Sequence, residues 1–222
     1  IIRDYCITIK GIKECFLMVE SFELTLDEKT KVYLEHAYKN IGGTILEFGS
    51  GGSTVLALQS NPKNRVYCCE TDSAWLARLL LNINNLGLMD RIVPVHLDVG
   101  LTKEWGYPDT DLEGIGVVRM QKFVRCMLKP WHILRSRGEF PKFVFIDGRW
   151  RAACFLVALL YCQKSMQVLW DDYADREYYD VFSDLIVPDE MIGRSALFNV
   201  DPSKFDACDI IDKYVHLFSD WR

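Results

Sequence analysis

The sequence Ile-Leu-Glu-Phe-Gly-Ser-Gly-Gly-Ser-Thr, residues 45–54, decides the fold of this chain. An apolar run ends near an acid, Glu47, and three glycines follow within the next five residues. Hydroxyl side chains, which favour the first turn of a helix, come next. Glycine allows a sharp turn with a bare backbone, and the N-terminus of a helix offers free N–H groups to a ligand. The stretch therefore predicts a strand that turns directly into a helix at a binding site.

The composition is that of an ordinary globular protein. The chain has 222 residues, of which 50% are hydrophobic and 26% charged, and its net charge is −5. This length favours one domain spanning residues 1–222. An acidic balance without a long basic stripe does not favour a nucleic-acid partner. The longest apolar run, Ala152–Cys162, is shorter than the roughly 18 residues of a membrane helix, so we expect no membrane partner.

The eight cysteines indicate small core residues rather than ligands. None belongs to a Cys-x-x-Cys pair, and several lie in apolar stretches such as Tyr67-Cys68-Cys69. This usage is typical of a reduced, cytoplasmic protein, and we expect that location. A zinc site would need clustered ligands, whereas the histidines are scattered, at His36, His96, His132 and His216.

From Thr44 onward, short apolar runs alternate with helical patterns, which predicts βαβ units around a parallel sheet. The predicted strands are 44–47, 65–70, 92–97, 143–146, 168–170 and 195–200, with 191–194 as a partner of the last. The predicted helices are 54–59, 74–85, 117–128, 151–163, 177–185 and 210–218. The capping-box pattern Thr25-Leu-Asp-Glu28 predicts one more helix, ending near Lys39. Residues 1–23 form an N-terminal extension that fits either short strands or a loose segment.

Residues 99–141, between the third and fourth predicted strands, are too long for an ordinary connection. Insertions at the carboxyl edge of a parallel sheet often carry substrate contacts. We expect either a substrate lid or a segment that only covers the sheet. His132, beside Trp131, is a candidate catalytic base in this segment.

An acidic residue stands at the end of each of the first five predicted strands. These residues are Glu47, Glu70, Asp98, Asp147, and Asp171 with Asp172. Ligands bind beyond the carboxyl ends of the strands in an open parallel sheet. Carboxylates gathered at one edge repel each other unless a cation or hydrogen-bond donors offset their charge. The set therefore predicts a site for a ligand with cationic or hydroxyl groups.

The acids around the glycine turn discriminate between nucleotide cofactors. A carboxylate at Glu70 can accept hydrogen bonds from the vicinal hydroxyls of a ribose. The dinucleotide pattern Gly-x-Gly-x-x-Gly is incomplete, because Thr54 stands where the third glycine would be. Glu47 would repel a pyrophosphate but attract an ammonium or sulfonium group. The electrostatics therefore favour S-adenosylmethionine over NAD.

The motifs Glu47-x-Gly49-x-Gly51, Glu70 and Asp98 resemble the cofactor motifs of class I S-adenosylmethionine-dependent methyltransferases, over roughly residues 40–200. With Ile146-Asp-Gly-Arg149 and Trp170-Asp-Asp-Tyr173, the pattern is also similar to small, little-characterised bacterial methyltransferase-like proteins. The resemblance implies an α/β fold: a three-layer αβα sandwich with a seven-stranded, mostly parallel sheet whose last strand is antiparallel.

The same resemblance implies roles for individual residues. The glycine loop admits the amino-acid part of the cofactor, Glu70 holds the ribose hydroxyls, and Asp98 bonds the adenine amino group beside Val99. The expected cofactor-binding residues are Glu47, Gly49, Ser50, Gly51, Gly52, Ser53, Glu70, Thr71, Asp98, Val99 and Asp147.

The resemblance implies methyl transfer to an oxygen of a small-molecule acceptor, with nitrogen as the second choice. The alternatives are a protein of the same fold that binds the cofactor but transfers nothing, and a nicotinamide-dependent oxidoreductase. Such a chain could also form a homodimer.

Asp147, Asp171 and Asp172 resemble the three-carboxylate site of metal-dependent small-molecule O-methyltransferases. Oxygen ligands suit Mg²⁺ or another divalent cation, which could orient the acceptor and lower the pKa of its hydroxyl. Two other interpretations stay open. The acids could be held structurally, with Arg149 or Arg151 as partners, or Asp147 or Asp171 could be a catalytic base.

Overall fold

The computed structural model of the chain describes residues 22–174 and 176–221, together with the backbone of two short N-terminal strands. These strands, Ile7–Ile9 and Ile12–Glu14, pair antiparallel. The rest of the predicted extension up to residue 21, including Cys6 and Cys15, lies outside the described residues. The cysteines at the other six positions are free thiols, and four of them are buried.

Seven strands form one sheet, in the order β3-β2-β1-β4-β5-β7-β6. The first five strands are parallel, and β7 runs antiparallel to both β5 and β6. The predicted seven-stranded sheet with an antiparallel last strand is confirmed. The order reverses between β1 and β4, which is where such sheets bind ligands. The strands are β1 Thr44–Phe48, β2 Arg65–Glu70, β3 Ile92–His96, β4 Phe143–Ile146, β5 Met166–Trp170, β6 Glu190–Ile192 and β7 Ser195–Val200.

Helices cover both faces of the sheet, which confirms the three-layer sandwich. The helices are α1 Glu28–Ile41, α2 Gly52–Ser60, α3 Ser73–Asn85, α4 Val117–Ser136, α5 Arg151–Tyr161 and α6 Ala207–Tyr214. Alternate strand residues face opposite layers. Ile45 and Phe145 pack with α1, α2 and α3, whereas Leu46 and Ile146 pack with α4, α5 and α6. None of the helices in the described ranges has the length and apolar character that a membrane span requires.

Helix α1 begins later than the predicted capping box. Asp27 is its N-cap, and the Asp27 carboxylate accepts hydrogen bonds from the backbone N–H groups of Lys29 and Thr30, at 3.0 and 3.2 Å. The prediction that Thr25 caps the helix is wrong, because the side chain of Asp27 already satisfies those N–H groups.

The segment predicted as helix 177–185 is a shorter 3₁₀ turn, Glu177–Phe182. Tyr179 and Phe182 are both buried against Trp170. Residues three apart lie on one side of a 3₁₀ turn, so this tighter turn aims both rings at the same core residue.

Most of the predicted insertion is the crossover helix α4, which covers the sheet. It continues past Pro130, where the sequence predicted an end near residue 128. Proline removes one backbone hydrogen bond, and burial of Trp131 and Leu134 beyond it offsets that loss. Residues 99–116, which include the 3₁₀ turn Glu104–Gly106, form a loop before α4.

Candidate cofactor and acceptor cleft

A cleft of about 840 Å³ opens at the carboxyl ends of β1, β2 and β4. Its wall also includes the backbone segment 23–26 and the loop segment 102–106. The cleft collects eight of the predicted cofactor-binding residues: Gly49, Ser50, Gly51, Gly52, Ser53, Glu70, Thr71 and Asp147. A strand-to-helix turn thus forms the floor of the pocket.

Two of the three glycines of the turn are required by close backbone contacts. Gly49 has a φ of +93°, and a Cβ atom there would lie 2.7 Å from the backbone nitrogen of Gly148. A Cβ atom on Gly52 would lie 2.7 Å from the backbone oxygen of Glu23. Larger residues would separate β1 from the turn after β4, or displace the N-terminal segment from α2.

Glu47 lies beneath the turn and does not line the cleft. Its side chain is fully buried, and its carboxylate oxygens accept hydrogen bonds from the hydroxyls of Ser53 and Thr54 in the first turn of α2. Burial raises the pKa of Glu47 to about 7, although both hydroxyls oppose the shift. The predicted contact between Glu47 and a cationic ligand is therefore not supported, because the carboxylate is turned into the protein.

Glu70 is the carboxylate that faces the cleft, at the end of β2. Its Oε1 atom accepts from the backbone N–H groups of Thr71 and Asp72, at 2.7 and 3.0 Å. Its Oε2 atom accepts from the backbone N–H and the hydroxyl of Ser50, each at 3.2 Å. The Thr71 hydroxyl is also within 3.3 Å of Oε1. Two of these donors are hydroxyls, which can rotate and give way to the hydroxyls of a ligand.

Trp75, on α3, supports the same turn. Its indole N–H donates to the backbone oxygen of Ser50 at 2.7 Å, and the Arg78 guanidinium lies 5.2 Å from the centre of its ring. Both side chains line the cleft, and Phe22 packs edge-on against the indole. The sequence did not identify these contacts, since they depend on how α3 packs beside the turn.

Asp98 and Val99 do not line the cleft. The Asp98 side chain is 57% exposed and forms an ion pair with Lys122 at 2.9 Å. This lysine is the main cause of the lowered pKa of Asp98. Val99 is fully buried, and its backbone oxygen accepts from Arg119 at 3.0 Å. The implied contact of Asp98 with an adenine is therefore absent from this arrangement.

The loop 99–116 is held by Arg119, a residue that the sequence analysis missed. The Arg119 side chain is 3% exposed, and it donates to backbone oxygens along the whole loop. These acceptors are the oxygens of Val99, Leu101, Asp109 and Glu113. Arg119 lies four residues before Phe123 on the buried face of α4. A charged residue on an otherwise apolar helix face was the sequence signal that could have identified it.

Next to the cleft, at the ends of β4 and β5, three aspartates meet three arginines, and only Asp147 among them lines the cleft. Arg151 bonds Asp147 at 3.1 Å and Asp172 at 3.3 Å. Asp172 also pairs with Arg176 at 2.6 Å and with Arg194 at 2.9 Å. Asp171, which is fully buried, pairs with Arg194 at 3.2 Å and accepts from the Ser195 hydroxyl at 2.8 Å. We call the three aspartates and three arginines the aspartate–arginine network; they are Asp147, Asp171, Asp172, Arg151, Arg176 and Arg194.

The comparisons with known proteins come from solved structures. A methyltransferase-like protein from Silicibacter pomeroyi matches with a TM-score of 0.75 and 28% sequence identity, covering 90% of this chain and 98% of that one. An O-methyltransferase from Bacillus cereus, in complex with S-adenosylhomocysteine, has a TM-score of 0.48 and 17% identity, covering 90% and 71%. A methyltransferase from Geobacter sulfurreducens has a TM-score of 0.47 and 13% identity, covering 78% of each chain. The last two similarities are too low to carry an argument. No protein-family model and no curated protein sequence matches this chain.

The chain has the class I methyltransferase fold.

Within this methyltransferase fold, the three predicted metal ligands do not fit a divalent cation. Asp147, Asp171 and Asp172 already bond guanidinium groups, and Asp171 has no exposed surface. Across the described ranges, no cluster of three or more acidic, histidine or cysteine side chains is arranged to hold a metal. The arrangement instead matches the structural alternative, in which arginines balance the acids.

The three predicted catalytic residues lie in different places. Asp147 lines the cleft with 28% of its side chain exposed. Burial raises the pKa of Asp147, Arg151 opposes that shift, and the neighbouring Asp171 adds to it. Asp171 is enclosed by Ser195 and Arg194 and does not reach the cleft. Among the three candidates, only Asp147 is placed to contact an acceptor.

His132 lies outside the site, which corrects its assignment as a base. Its ring bonds the Tyr161 hydroxyl at 3.0 Å, at the far end of α5. Tyr161 is ten residues from Arg151 along that helix, or about 15 Å at 1.5 Å per residue. The segment before His132 belongs to α4 and not to a lid.

Proposed function

We propose that this protein binds S-adenosylmethionine and transfers its methyl group to an oxygen of a small-molecule acceptor. The observation that carries the proposal is Glu70, which presents a carboxylate to the cleft at the end of β2, beside the glycine turn. A carboxylate in this position can bind the vicinal hydroxyls of a ribose. The hydroxyls of Ser50 and Thr71 are the donors that such a ligand would replace.

Glu70 also makes this half of the cleft suitable for a cation. Its carboxylate accepts from neutral donors and forms no ion pair within the described residues. A sulfonium or ammonium group gains from the charge of Glu70, whereas the pyrophosphate of NAD would be repelled. The electrostatics of the folded site therefore favour the same cofactor as the sequence.

S-adenosylmethionine would supply a methyl group bound to a positively charged sulfur. Transfer of this kind depends mostly on holding the two reactants in line, so few side chains are needed. Asp147 is the carboxylate that can act as the base and accept the proton of the acceptor hydroxyl, because its raised pKa favours proton uptake near neutral pH. The glycine turn allows the backbone to approach the amino-acid part of the cofactor.

A second candidate is a protein that binds the cofactor without transferring the methyl group. The observation that favours it is the bond of 3.1 Å between Arg151 and Asp147. A carboxylate that is already paired with a guanidinium is a weaker base, since the pairing stabilises its charged form. Turnover on a panel of hydroxylated acceptors separates the two candidates.

Isothermal titration calorimetry with S-adenosylhomocysteine and with NAD tests the proposal. We expect S-adenosylhomocysteine to bind at micromolar concentration and NAD not to bind. Glu70→Gln should weaken the affinity for S-adenosylhomocysteine by about 10- to 100-fold, the usual contribution of a hydrogen bond to a charged group. Glu35→Gln, an exposed change on α1, is the matched control and should leave the affinity unchanged. Binding of NAD without S-adenosylhomocysteine would overturn the proposal.

A further inference from the structure

Arg149 is a cleft residue that neither the cofactor site nor the aspartate–arginine network uses. It follows Asp147-Gly148 at the end of β4 and lines the cleft. Its guanidinium carbon lies 4.1 Å from the centre of the Tyr107 ring, on the loop 99–116. This cation–π contact holds the guanidinium at the junction between that loop and β4.

Arg149 differs from the other arginines around it because it has no carboxylate partner. Arg119, Arg151 and Arg194 each form an ion pair with an acidic residue. Within the part of the chain that the structure describes, no acid lies at ion-pair distance from Arg149. Its Nε atom is buried and has no hydrogen-bond partner. The acid nearest in sequence, Asp147, bonds Arg151 instead.

This arrangement leaves a charge that is partly removed from water and that no carboxylate pairs with directly. Burial lowers the pKa of Arg149, and the positive charge of Arg151 lowers it further. A buried donor without an acceptor destabilises a fold unless a ligand satisfies it. An anion that entered the cleft from solution would satisfy this donor.

We propose that Arg149 binds an oxyanion, a carboxylate or a phosphate, on the acceptor. A guanidinium is planar and donates two parallel hydrogen bonds to such groups. Trp105 lies two residues before Tyr107 and lines the same cleft, with 75% of its surface exposed. Its indole offers an apolar face to the body of the molecule. The acceptor class is then a small aromatic or apolar acid with a hydroxyl group. This inference rests on the proposed function.

Calorimetry with matched probes tests the inference. Benzoate and phenyl phosphate are titrated against the neutral benzyl alcohol, on the free protein and on protein saturated with S-adenosylhomocysteine. We expect wild type to bind each anion at least tenfold more tightly than the alcohol. Arg149→Gln should remove that preference, and Arg149→Lys should keep part of it, because lysine retains the charge but not the planar pair of donors. Comparing benzoate with phenyl phosphate identifies which oxyanion is preferred.

Controls separate this inference from the proposed function. Arg135→Gln, an exposed change in the last turn of α4, should bind all three probes as wild type does. Affinity for S-adenosylhomocysteine should change less than threefold in Arg149→Gln. Equal affinity of Arg149→Gln and wild type for both anions would overturn the inference. A tenfold loss of affinity for S-adenosylhomocysteine in Arg149→Gln, with the preference for anions retained, would also overturn it. Arg149 would then bind the carboxylate of the cofactor. Failure of wild type to bind S-adenosylhomocysteine would instead contradict the proposed function, and the titrations of the free protein would still decide the role of Arg149.

Discussion

The two ends of the cleft satisfy their carboxylates in different ways. At the end of β2, Glu70 accepts hydrogen bonds from neutral donors, namely backbone N–H groups and the hydroxyls of Ser50 and Thr71. At the ends of β4 and β5, the aspartates instead meet guanidinium groups of Arg151, Arg176 and Arg194. Neutral donors hold a carboxylate in place and leave its charge available, whereas guanidinium groups cancel it.

This difference gives the cleft two electrostatic halves. The half around Glu70 keeps a negative charge and suits a cationic ligand. The half around Asp147 is balanced by the network, and Arg149 adds a positive charge that has no carboxylate partner in the described chain. A cationic cofactor and an anionic acceptor would each find the complementary half, which would orient the two molecules relative to each other.

The largest effect is expected from removing the buried arginine of the network. Arg151 is 2% exposed, and Arg151→Gln leaves Asp147 and the backbone oxygen of Asp171 without its guanidinium. Breaking a buried ion pair on one side typically costs about 3–5 kcal/mol. Urea unfolding of wild type and variant measures the loss. Arg176→Gln is the control and should cost about 1 kcal/mol or less, because Asp172 keeps its bond to Arg194 at 2.9 Å.

Equal losses in Arg151→Gln and Arg176→Gln would show that the network is not organised around Arg151. Stabilisation of wild type by millimolar Mg²⁺ would also contradict the arginine-based account, because a cation that binds only the folded state raises its stability.

A smaller, pH-dependent effect is expected at Glu47. Burial raises its pKa from 4.5 to about 7 in the folded protein. Between these two pH values the folded state holds a proton that the unfolded state has lost. The raised pKa therefore contributes stability that is fully present below pH 4.5 and disappears as the pH rises through about 7. The shift corresponds to roughly 3 kcal/mol at 1.36 kcal/mol per pKa unit. The glutamine of Glu47→Gln cannot titrate. The free energy of unfolding of this variant, relative to wild type, should therefore rise by that amount between pH 4 and pH 8.

Unfolding by urea at several pH values provides the measurement for Glu47. Thr54→Ser, which keeps the hydroxyl that bonds Glu47, is a control that should retain the wild-type pH dependence. Parallel curves for wild type and Glu47→Gln would mean that Glu47 has the same pKa in the folded and unfolded states. The carboxylate would then be ionised at neutral pH, and the glycine turn would carry more negative charge than the raised pKa implies.

The sequence predicted the half of the site around Glu70, which is built from residues close to each other in the chain. The glycine turn and the acid at the end of β2 follow neighbouring parallel strands, so the strand pattern places them together. The family resemblance adds Ser50 and Thr71. The strand pattern also predicted the parallel sheet and the pairing of 191–194 with 195–200, since alternating apolar runs are a local property.

The other half could not be predicted because its partners come from distant parts of the chain. Arg194, in the turn between β6 and β7, reaches Asp171 only after the antiparallel strand has folded back on β5. The sequence therefore supported a metal as well as an arginine partner for the same acids. Arg119 is a similar case, since a single buried side chain on α4 fixes the loop 99–116 and with it the direction of Asp98.

The smallest effect is expected at Asp98, although the family resemblance assigns it to the adenine. In this structure its carboxylate is exposed and pairs with Lys122 at the surface, an interaction usually worth less than about 1 kcal/mol. Asp98→Ala should change the stability by less than that amount and the affinity for S-adenosylhomocysteine by less than threefold, as should the control Lys122→Ala. Urea unfolding and calorimetry measure both. A tenfold loss of affinity in Asp98→Ala alone would require the loop held by Arg119 to rearrange when the cofactor binds. The β3 edge would then join Glu70 as part of the acidic half, and the contrast between the two halves would be sharper than the present arrangement shows.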